Sequence, residues 1–581
     1  MCGIVGYIGE KQAQPVLLNC LYRLEYRGYD SCGVAVAGAD IQVFKDAVRV
    51  KELTELGPKL KGVTGIAHTR WATHGEPSRL NAHPHCDCSG KIAVVHNGII
   101  ANFRELKQRL AAGGHKFISE TDSEVIPHLV EEYYEGDLEN AVTRALAELA
   151  GSYAVIVLMP GERRLVAARK DSPLIIGVGD RENFVASDVP AILDYTDRVI
   201  YLEDDDIAVI TTDAVRVKHR AAAVERREHK ISWTVADAQK SGYDHFMLKE
   251  IHEQPKVIRE TLAEYIASSE PAASLSPPGE TLDELLILAC GTSYHAGLVG
   301  KYIIESLVGI PVRVELASEF NYFSQTRPVR LALAITQSGE TADVLKSIRR
   351  LKQEGSQVIA VTNAVGSTVT RLADQVVYTR AGPEISVAAT KSFIAELIAL
   401  YWLALPYSRV NIKRVDRLVA GLRQLPVKVQ QVLDAEDSIL GCARELARYN
   451  NVFFVGRGIN FPVALEGALK LKEVSYIHAE GYAAGELKHG PFALLGEQTP
   501  AVAVVAPDST YEVTLASIKE IKARRSPVFA IAEEDDEMAP ELADIMIKVP
   551  ASADPLFSPV LNTVALQLLA YHTARLKGCS I

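Results

Sequence analysis

Residues 285–309, LLILACGTSYHAGLVGKYIIESLVG, decide the fold of the C-terminal half of this chain. A short apolar run leads into a Gly-Thr-Ser turn, and a long helical pattern follows. The same order returns in LALAITQSGETADVLKSIRRLKQEG at 331–355, before a further apolar run at 357–363. Strands that alternate with helices in this way predict a doubly wound α/β sheet.

A second copy of this pattern lies downstream. Residues 451–475, NVFFVGRGINFPVALEGALKLKEVS, resemble the first strand–turn–helix unit, and residues 501–534 resemble the second. Gly291 and Gly456 occupy equivalent turns and are 165 positions apart. The sequence therefore predicts two copies of one α/β domain.

The N-terminal part has a different texture. Short apolar runs such as GIVGYI, IAVVHNGII and YAVIVLM are separated by turns, with few helices, which predicts packed antiparallel sheets. The stretch after about residue 220 shows little strand pattern and is interpreted as a linker that becomes a helix. The expected domains are an N-terminal domain at 1–220, the linker at 221–260, and α/β domains at 261–430 and 431–581.

Composition excludes several classes of function. The 581 residues carry a net charge of −11, which disfavours binding to nucleic acid or to an anionic membrane surface. No apolar run reaches the roughly 18 residues of a spanning helix, and the N-terminus lacks the basic region of a secretory signal. Eight scattered cysteines are typical of free thiols, so a cytoplasmic protein is expected.

One run invites a metal interpretation. His83, His85, Cys86 and Cys88 lie together in HPHCDC. A structural zinc site usually draws its ligands from two separated pairs, and no second pair occurs at a usual spacing. The favoured interpretation is a polar loop with His83 lining a pocket, and no metal or organic cofactor is expected.

Cys2 is the first candidate for chemistry. Once the initiator Met is removed, its α-amine could take the proton of its own thiol. An inert buried thiol is the alternative. Three polar motifs favour the catalytic interpretation: HTRWATHGEP (68–77), HNGII (96–100) and SETDSE (119–124) bring an arginine, an oxyanion-binding Asn-Gly pair and an acid that suits an ammonium.

The α/β domains supply a second set of candidates. The turns CGTS (290–293) and TQSGET (336–341) each follow a strand and precede a helix, which suits phosphate binding but also ordinary helix capping. Glu466, Lys470 and Glu473 share one face of the helix FPVALEGALKLKEVS. A surface helix with salt bridges is the alternative for that pattern.

Taken in order, MCGIVGYIG, LEYRGYDSCG, HTRWATHGEPS, NAHPH, HNGII and TDSE resemble the glutaminase domain of the N-terminal-nucleophile amidotransferases. The resemblance is strongest to the glutamine:fructose-6-phosphate aminotransferase (isomerizing) family, the glucosamine-6-phosphate synthases, and it covers essentially the whole chain. It implies an αββα sandwich followed by two sugar isomerase (SIS) domains. It also implies glucosamine 6-phosphate formation from glutamine and fructose 6-phosphate, the first step of hexosamine biosynthesis.

The resemblance assigns roles to residues of both halves. In the glutaminase half it implies Cys2 as nucleophile, Asn97 with Gly98 as oxyanion hole, and a glutamine pocket formed by Arg70, Trp71, Thr73, His74, His83 and Asp122. In the sugar half it implies Glu473 as proton shuttle with Lys470 nearby, and His489 as ring-opening acid/base from a neighbouring subunit of a homodimer. The implied sugar-phosphate ligands are Thr292, Ser293, Thr336, Gln337, Ser338, Thr341 and Val387.

The sequence departs from the family pattern at its end. Family members continue beyond the position of Ile581 into a tail whose lysine forms a Schiff base with the sugar. Three explanations stay open: a truncated sequence, another amine such as Lys470 or Lys488, or impaired transfer. The alternative function is therefore a glutaminase whose SIS module senses sugar phosphate. A phosphoribosyl acceptor would need an acidic strand end that the sequence does not show.

Overall fold

A computed structural model describes residues 2–72, 74–231, 240–267, 275, 282–322 and 328–581. The chain forms two compact units, Met1–Ala238 and Gln239–Ile581. Among the described ranges, no helix combines the length and hydropathy that crossing a bilayer demands.

The first unit is built on two antiparallel sheets. One has the strand order β15-β11-β9-β10-β1-β4-β2-β3, and the other has the order β14-β13-β12-β8-β7-β6-β5. The strands are β1 Gly3–Ile8, β2 Ser31–Ala37, β3 Ile41–Asp46, β4 Thr64–Arg70, β5 His85–Cys86, β6 Ala93–Ile100, β7 Gly151–Leu158, β8 Leu165–Lys170, β9 Ile175–Val178, β10 Asn183–Ala186, β11 Arg198–Tyr201, β12 Asp206–Ile210, β13 Val215–His219, β14 Ala222–Val224 and β15 Glu228–Lys230. The helices are α1 Ala13–Tyr22, α2 Val50–Leu56, α3 Phe103–Ala112, α4 Val125–Tyr133 and α5 Leu138–Ala147.

Strand β7 shows why these layers stack. Its residues alternate between two cores, because successive side chains of a strand point to opposite faces. Ala154 and Ile156 pack between the two sheets, whereas Val155 and Val157 pack under α3, α4 and α5. Helix α1 packs on β1 and β4 on the other side. The predicted αββα sandwich is confirmed.

The second unit holds two parallel five-stranded sheets of matching order, β17-β16-β18-β19-β20 and β22-β21-β23-β24-β25. The strands are β16 Leu285–Ala289, β17 Val312–Leu316, β18 Leu331–Ile335, β19 Gln357–Thr362, β20 Gln375–Tyr378, β21 Asn451–Gly456, β22 His478–Ala483, β23 Ala501–Val504, β24 Val528–Glu533 and β25 Ile545–Val549. The helices are α6 Phe246–Ala267, α7 Gly291–Val308, α8 Ala317–Phe320, α9 Ala342–Gln353, α10 Thr368–Leu372, α11 Lys391–Ala404, α12 Ile412–Asp434, α13 Glu436–Leu446, α14 Phe461–Ser475, α15 Tyr511–Lys522, α16 Met538–Leu542 and α17 Ser558–Leu576.

The two sheets confirm the repeat that the sequence indicates. Each begins with a buried apolar strand at the second position of its sheet, β16 or β21, and continues through a glycine turn into a long helix, α7 or α14. Apolar helices α11 and α17 are buried almost throughout and join one large core. Two α/β domains thus share a continuous apolar interior.

The segment expected as a linker is more structured than its sequence indicates. The boundary between the compact units follows Ala238. Residues 222–224 and 228–230 form edge strands β14 and β15, whose mostly exposed side chains leave no apolar alternation in the sequence. The predicted helix is α6, which packs on α11 and α12. The expected boundary at residues 430–431 falls inside α12 and stays a prediction.

Candidate functional site

The Cys2 thiol lies where two neighbouring strands meet. Cys2 immediately precedes β1, and Trp71 immediately follows β4, the antiparallel partner of β1. The Trp71 backbone N–H donates to Cys2 Sγ at 3.2 Å. Burial raises the pKa of the Cys2 thiol, while this hydrogen bond and the nearby Arg70 guanidinium act in the opposite direction. The sulfur is therefore held in place beside a cation.

An amide side chain stands next to this cysteine. Asn97, on β6, donates from Nδ2 to the Cys2 carbonyl at 2.8 Å. Its Oδ1 lies 3.0 Å from Nε2 of His68, which fixes the orientation of the amide. Gly98 has a φ of +132°, and a Cβ there would lie 2.1 Å from the Ser152 carbonyl oxygen. Glycine is therefore required beside Asn97.

Arg70 is buried and only partly satisfied. Its Nη2 donates to the carbonyls of His74 and Gly75, the latter at 3.0 Å. Its Nη1 is buried and, within the described residues, has no hydrogen-bond partner. Burial lowers the pKa of Arg70, and Cys2, Asp30 and Asp122 oppose that shift. A buried guanidinium nitrogen without a partner indicates a binding site for an anion.

Asp122 lies in the loop before α4. Its Oδ2 accepts from the Ile100 backbone N–H at 2.8 Å, and its side chain is buried. Trp71 exposes 42% of its surface and meets Tyr29 edge-on, so it can cover a pocket. His74 supplies the carbonyl that Arg70 binds. Thr73 lies outside the described residues.

His83 lies behind these residues rather than among exposed side chains. It is 3% exposed, and its ring stacks on that of His68 with 4.1 Å between centroids. Its Nδ1 accepts from the His96 backbone N–H at 3.3 Å. His68 itself was not predicted, although its spacing from Arg70 places both on one face of β4. His83 thus contacts the residue that orients Asn97.

The buried imidazoles make the first unit sensitive to acid. Burial lowers the pKa of His68 to about 3 and also lowers those of His83 and His96. An unfolded histidine has a pKa of about 6.5, so below that pH only the unfolded chain takes up these protons. We expect the free energy of unfolding to fall by about 1.4 kcal/mol per pH unit for each imidazole.

This expectation is tested by calorimetry of the full chain between about pH 7 and pH 5, the range in which unfolded histidine titrates. The Tm of the first unit should decrease as the pH falls. An exposed histidine, His478, offers the matched control, since His478→Gln should leave that decrease unchanged. A constant Tm of the first unit over this range would contradict the argument.

A separate set of polar groups lies at the carboxyl end of β18. The loop after β18 passes through Gly339, whose φ is +67° and whose Cβ would collide with Ser367. Thr341 precedes α9, and its hydroxyl lies 3.1 Å from that of Thr336. The Ser338 hydroxyl accepts from the backbone N–H of Glu340 at 3.2 Å. Gln337, Ser338 and Thr341 thus surround the N-terminal end of a helix, which suits an anion.

Helix α14 brings three charged groups to the neighbouring loop. The Lys470 ammonium is 1% exposed and contacts Glu473 Oε2 at 2.6 Å and Glu466 Oε1 at 3.5 Å. It also donates to the Thr292 hydroxyl at 3.1 Å, and His295 Nδ1 lies 2.7 Å from Glu466. Burial lowers the pKa of Lys470, but the two carboxylates outweigh it, so the net direction is upward.

Two further acids of this region were not predicted. Ser293 donates to Glu396 Oε1 at 2.8 Å, and burial raises the pKa of Glu396 to about 8. Glu250, on α6, accepts from the backbone N–H groups of residues 385–386, and burial raises its pKa to about 8 as well. The exposed Val387 follows directly in this loop. Neither acid has a motif in the sequence, because its partners are more than 100 positions away.

His489 is placed apart from Lys470 in the chain and in exposure. It ends a 3-10 turn at Ala484–His489 and is exposed to solvent. Lys488 beside it forms an ion pair with Glu520 at 3.5 Å. The exposure of His489 is compatible with a contact to another subunit.

The HPHCDC residues do not converge on one point. His85 Nε2 lies 3.0 Å from the Thr121 hydroxyl, and Cys86 packs against the core between the two sheets. His83 is stacked on His68, as described above, and Cys88 is exposed. All eight cysteines are free.

Comparisons with known proteins agree across the chain. The SIS domain profile matches residues 283–406 and 445–577, and a glutamine amidotransferase domain profile matches residues 68–194. The glutamine–fructose-6-phosphate aminotransferase [isomerizing] of Methanosarcina mazei is 48% identical, covering 100% of this chain and 98% of its own length. The protein of that name from Thermus thermophilus is 46% identical, over 100% of this chain and 97% of its own.

A solved structure supports the same relationship for the second unit. The C-terminal domain of glucosamine-fructose-6-phosphate aminotransferase from Francisella tularensis is 36% identical, with a TM-score of 0.54. The match covers 59% of this chain and 99% of that one.

Proposed function

The chain belongs to the glutamine–fructose-6-phosphate aminotransferase (isomerizing) family, and we propose that it transfers the amide nitrogen of glutamine to fructose 6-phosphate. The products are glutamate and glucosamine 6-phosphate. The observation that carries the glutamine half is the unpartnered Nη1 of buried Arg70 beside Cys2. A free α-carboxylate is the group that satisfies such a nitrogen with charge-assisted hydrogen bonds.

In the first half-reaction, Cys2 Sγ attacks the side-chain amide of glutamine. The thiol proton passes to the Cys2 α-amine, once Met1 is removed, and from there to the departing ammonia. The Asn97 amide and the Gly98 N–H stabilise the tetrahedral oxyanion. Water then hydrolyses the thioester and releases glutamate. Arg70 holds the α-carboxylate, Asp122 holds the α-ammonium, and Trp71, Thr73 and His74 enclose the substrate.

The second half-reaction uses the loops of the first α/β domain and the helix α14 of the second. Gln337, Ser338 and Thr341, with Thr336, Thr292, Ser293 and Val387 around them, bind the sugar phosphate. Ammonia condenses with the C2 carbonyl and releases water. Glu473 then moves a proton from C1 to C2, and the charged Lys470 stabilises the oxygen that becomes anionic.

Two features of the assembly belong to the same proposal. His489 opens the sugar ring in a site of a partner subunit, so the working enzyme is a homodimer. The reaction takes place in the cytoplasm, which is consistent with eight free cysteines. Neither step requires a metal or an organic cofactor.

A product assay on the full chain tests the proposal. Purified protein is supplied with glutamine and fructose 6-phosphate, and glutamate and glucosamine 6-phosphate are quantified separately. We expect the two products in equal amounts, since each ammonia released is consumed. Glutamate without glucosamine 6-phosphate would overturn the transfer step and leave a glutaminase.

A further inference from the structure

Four side chains far apart in the sequence converge beside helix α4. Cys88 lies in the loop after β5, His115 follows the glycine pair that ends α3, and His128 and Glu131 lie three positions apart on α4. Their potential ligand atoms all lie within 4.8 Å of one another. We propose that these four residues form a tetrahedral zinc site.

The distances between the ligand atoms fit this geometry. Cys88 Sγ lies 3.6 Å from His115 Nδ1 and 3.5 Å from His128 Nδ1. Glu131 Oε2 lies 3.1 Å from His115 Nδ1 and 3.5 Å from His128 Nδ1. Zinc at usual bond lengths needs edges of roughly 3.6 Å between sulfur and nitrogen and roughly 3.3 Å between nitrogen and oxygen. An ion therefore fits with little movement of the side chains.

The donor set selects the metal. One thiolate, two imidazoles and one carboxylate are ligands that zinc accepts, whereas magnesium and calcium prefer shells made of oxygen alone. Four protein ligands fill a tetrahedral shell and leave no position for substrate or water. The site is therefore structural rather than catalytic.

The surroundings provide the outer hydrogen bonds that such sites use. His128 is 1% exposed, and its Nε2 faces the Glu124 carboxylate at 3.9 Å. Glu124 is held by hydrogen bonds from residues 118–119. A histidine that binds metal through one nitrogen commonly presents the other to a carboxylate. The backbone N–H of Lys116 donates to Cys88 Sγ at 3.4 Å, as expected at a thiolate.

This arrangement explains why the HPHCDC run alone indicated no metal. Only Cys88 of that run takes part, and its partners are a single histidine and a His-x-x-Glu pair on a helix. The zinc ion would join three segments of the first unit. One of them, between His115 and His128, carries Asp122, so the ion would fix the loop that holds this residue.

Metal analysis of the purified full chain tests the proposal. After incubation with zinc chloride and removal of unbound ions, we expect one zinc ion per chain by mass spectrometry. Cys88→Ser should lose the bound zinc, and Cys86→Ser is the matched control, since that thiol lies two positions away and outside the cluster. The control should keep the full amount. Zinc-free wild-type protein, or equal zinc in both variants, would overturn the proposal.

Cobalt substitution gives a readout that is independent of activity and stability. Wild-type protein loaded with cobalt should show the visible bands of a tetrahedral ion and a near-ultraviolet band from sulfur-to-cobalt charge transfer. Cys88→Ser should lose the charge-transfer band, and His128→Gln should weaken the visible bands. A six-coordinate spectrum in the wild type would contradict the proposed geometry.

Discussion

Glutamate release should fall by a factor on the order of 10⁴ or more when Cys2 is replaced by alanine. The substitution removes the sulfur that attacks the amide, and no other thiol can replace it, because the Trp71 N–H and Arg70 converge on this position. Conversion of fructose 6-phosphate to glucose 6-phosphate should persist, since the second unit retains its own groups. Both activities are measured on the same full-length preparation.

The control for Cys2→Ala is Cys86→Ser, which removes another thiol from the same unit. Cys86 packs against the core between the sheets and contacts none of the residues assigned to glutamine. Its variant should release glutamate at the wild-type rate. Continued glutamine hydrolysis by Cys2→Ala would show that the nucleophile has been assigned wrongly.

Replacing Glu473 with glutamine should reduce isomerisation by about 10²- to 10⁴-fold, the usual contribution of a general acid or base. Glutamine has nearly the same shape and can still accept a hydrogen bond from Lys470, which contacts Glu473 at 2.6 Å in the native protein. It cannot carry a proton between C1 and C2. Glutamine hydrolysis should be unaffected, because Cys2 and its surroundings lie in the first unit.

The matched carboxylate is Glu445, which forms a surface ion pair with Arg448 on the second unit. Glu445→Gln should retain both activities, because exposed ion pairs contribute little to stability. If Glu473→Gln isomerised sugar phosphate at the wild-type rate, Glu473 could not be the proton shuttle.

Much of the fold follows from local pattern. Strands buried on both faces, such as β18 and β23, are continuous apolar runs followed by turns and helices, and the sequence predicts them directly. Strands β14 and β15 have no such pattern, because they lie at sheet edges with exposed side chains. Their place in the fold comes from pairing with β13 and β11.

The site divides in the same way. Residues in compact motifs, such as Cys2 and Asn97, can be found from the sequence because the chemistry is carried by a few adjacent positions. The supporting residues cannot, since His68 supports Asn97 across sheets and Glu396 meets Ser293 across 103 positions. Long-range packing decides those contacts, and no spacing rule records them.

The hydrogen bond from Lys470 to Thr292 joins the two α/β copies at one point. The first copy keeps the phosphate-binding turn TQSGET, while the corresponding stretch of the second copy reads APDST. The second copy instead carries Glu473. After the duplication the ancestral tasks were divided, so each copy became indispensable to the other. A shortened enzyme with a single copy would retain either the grip on its substrate or the means to transform it.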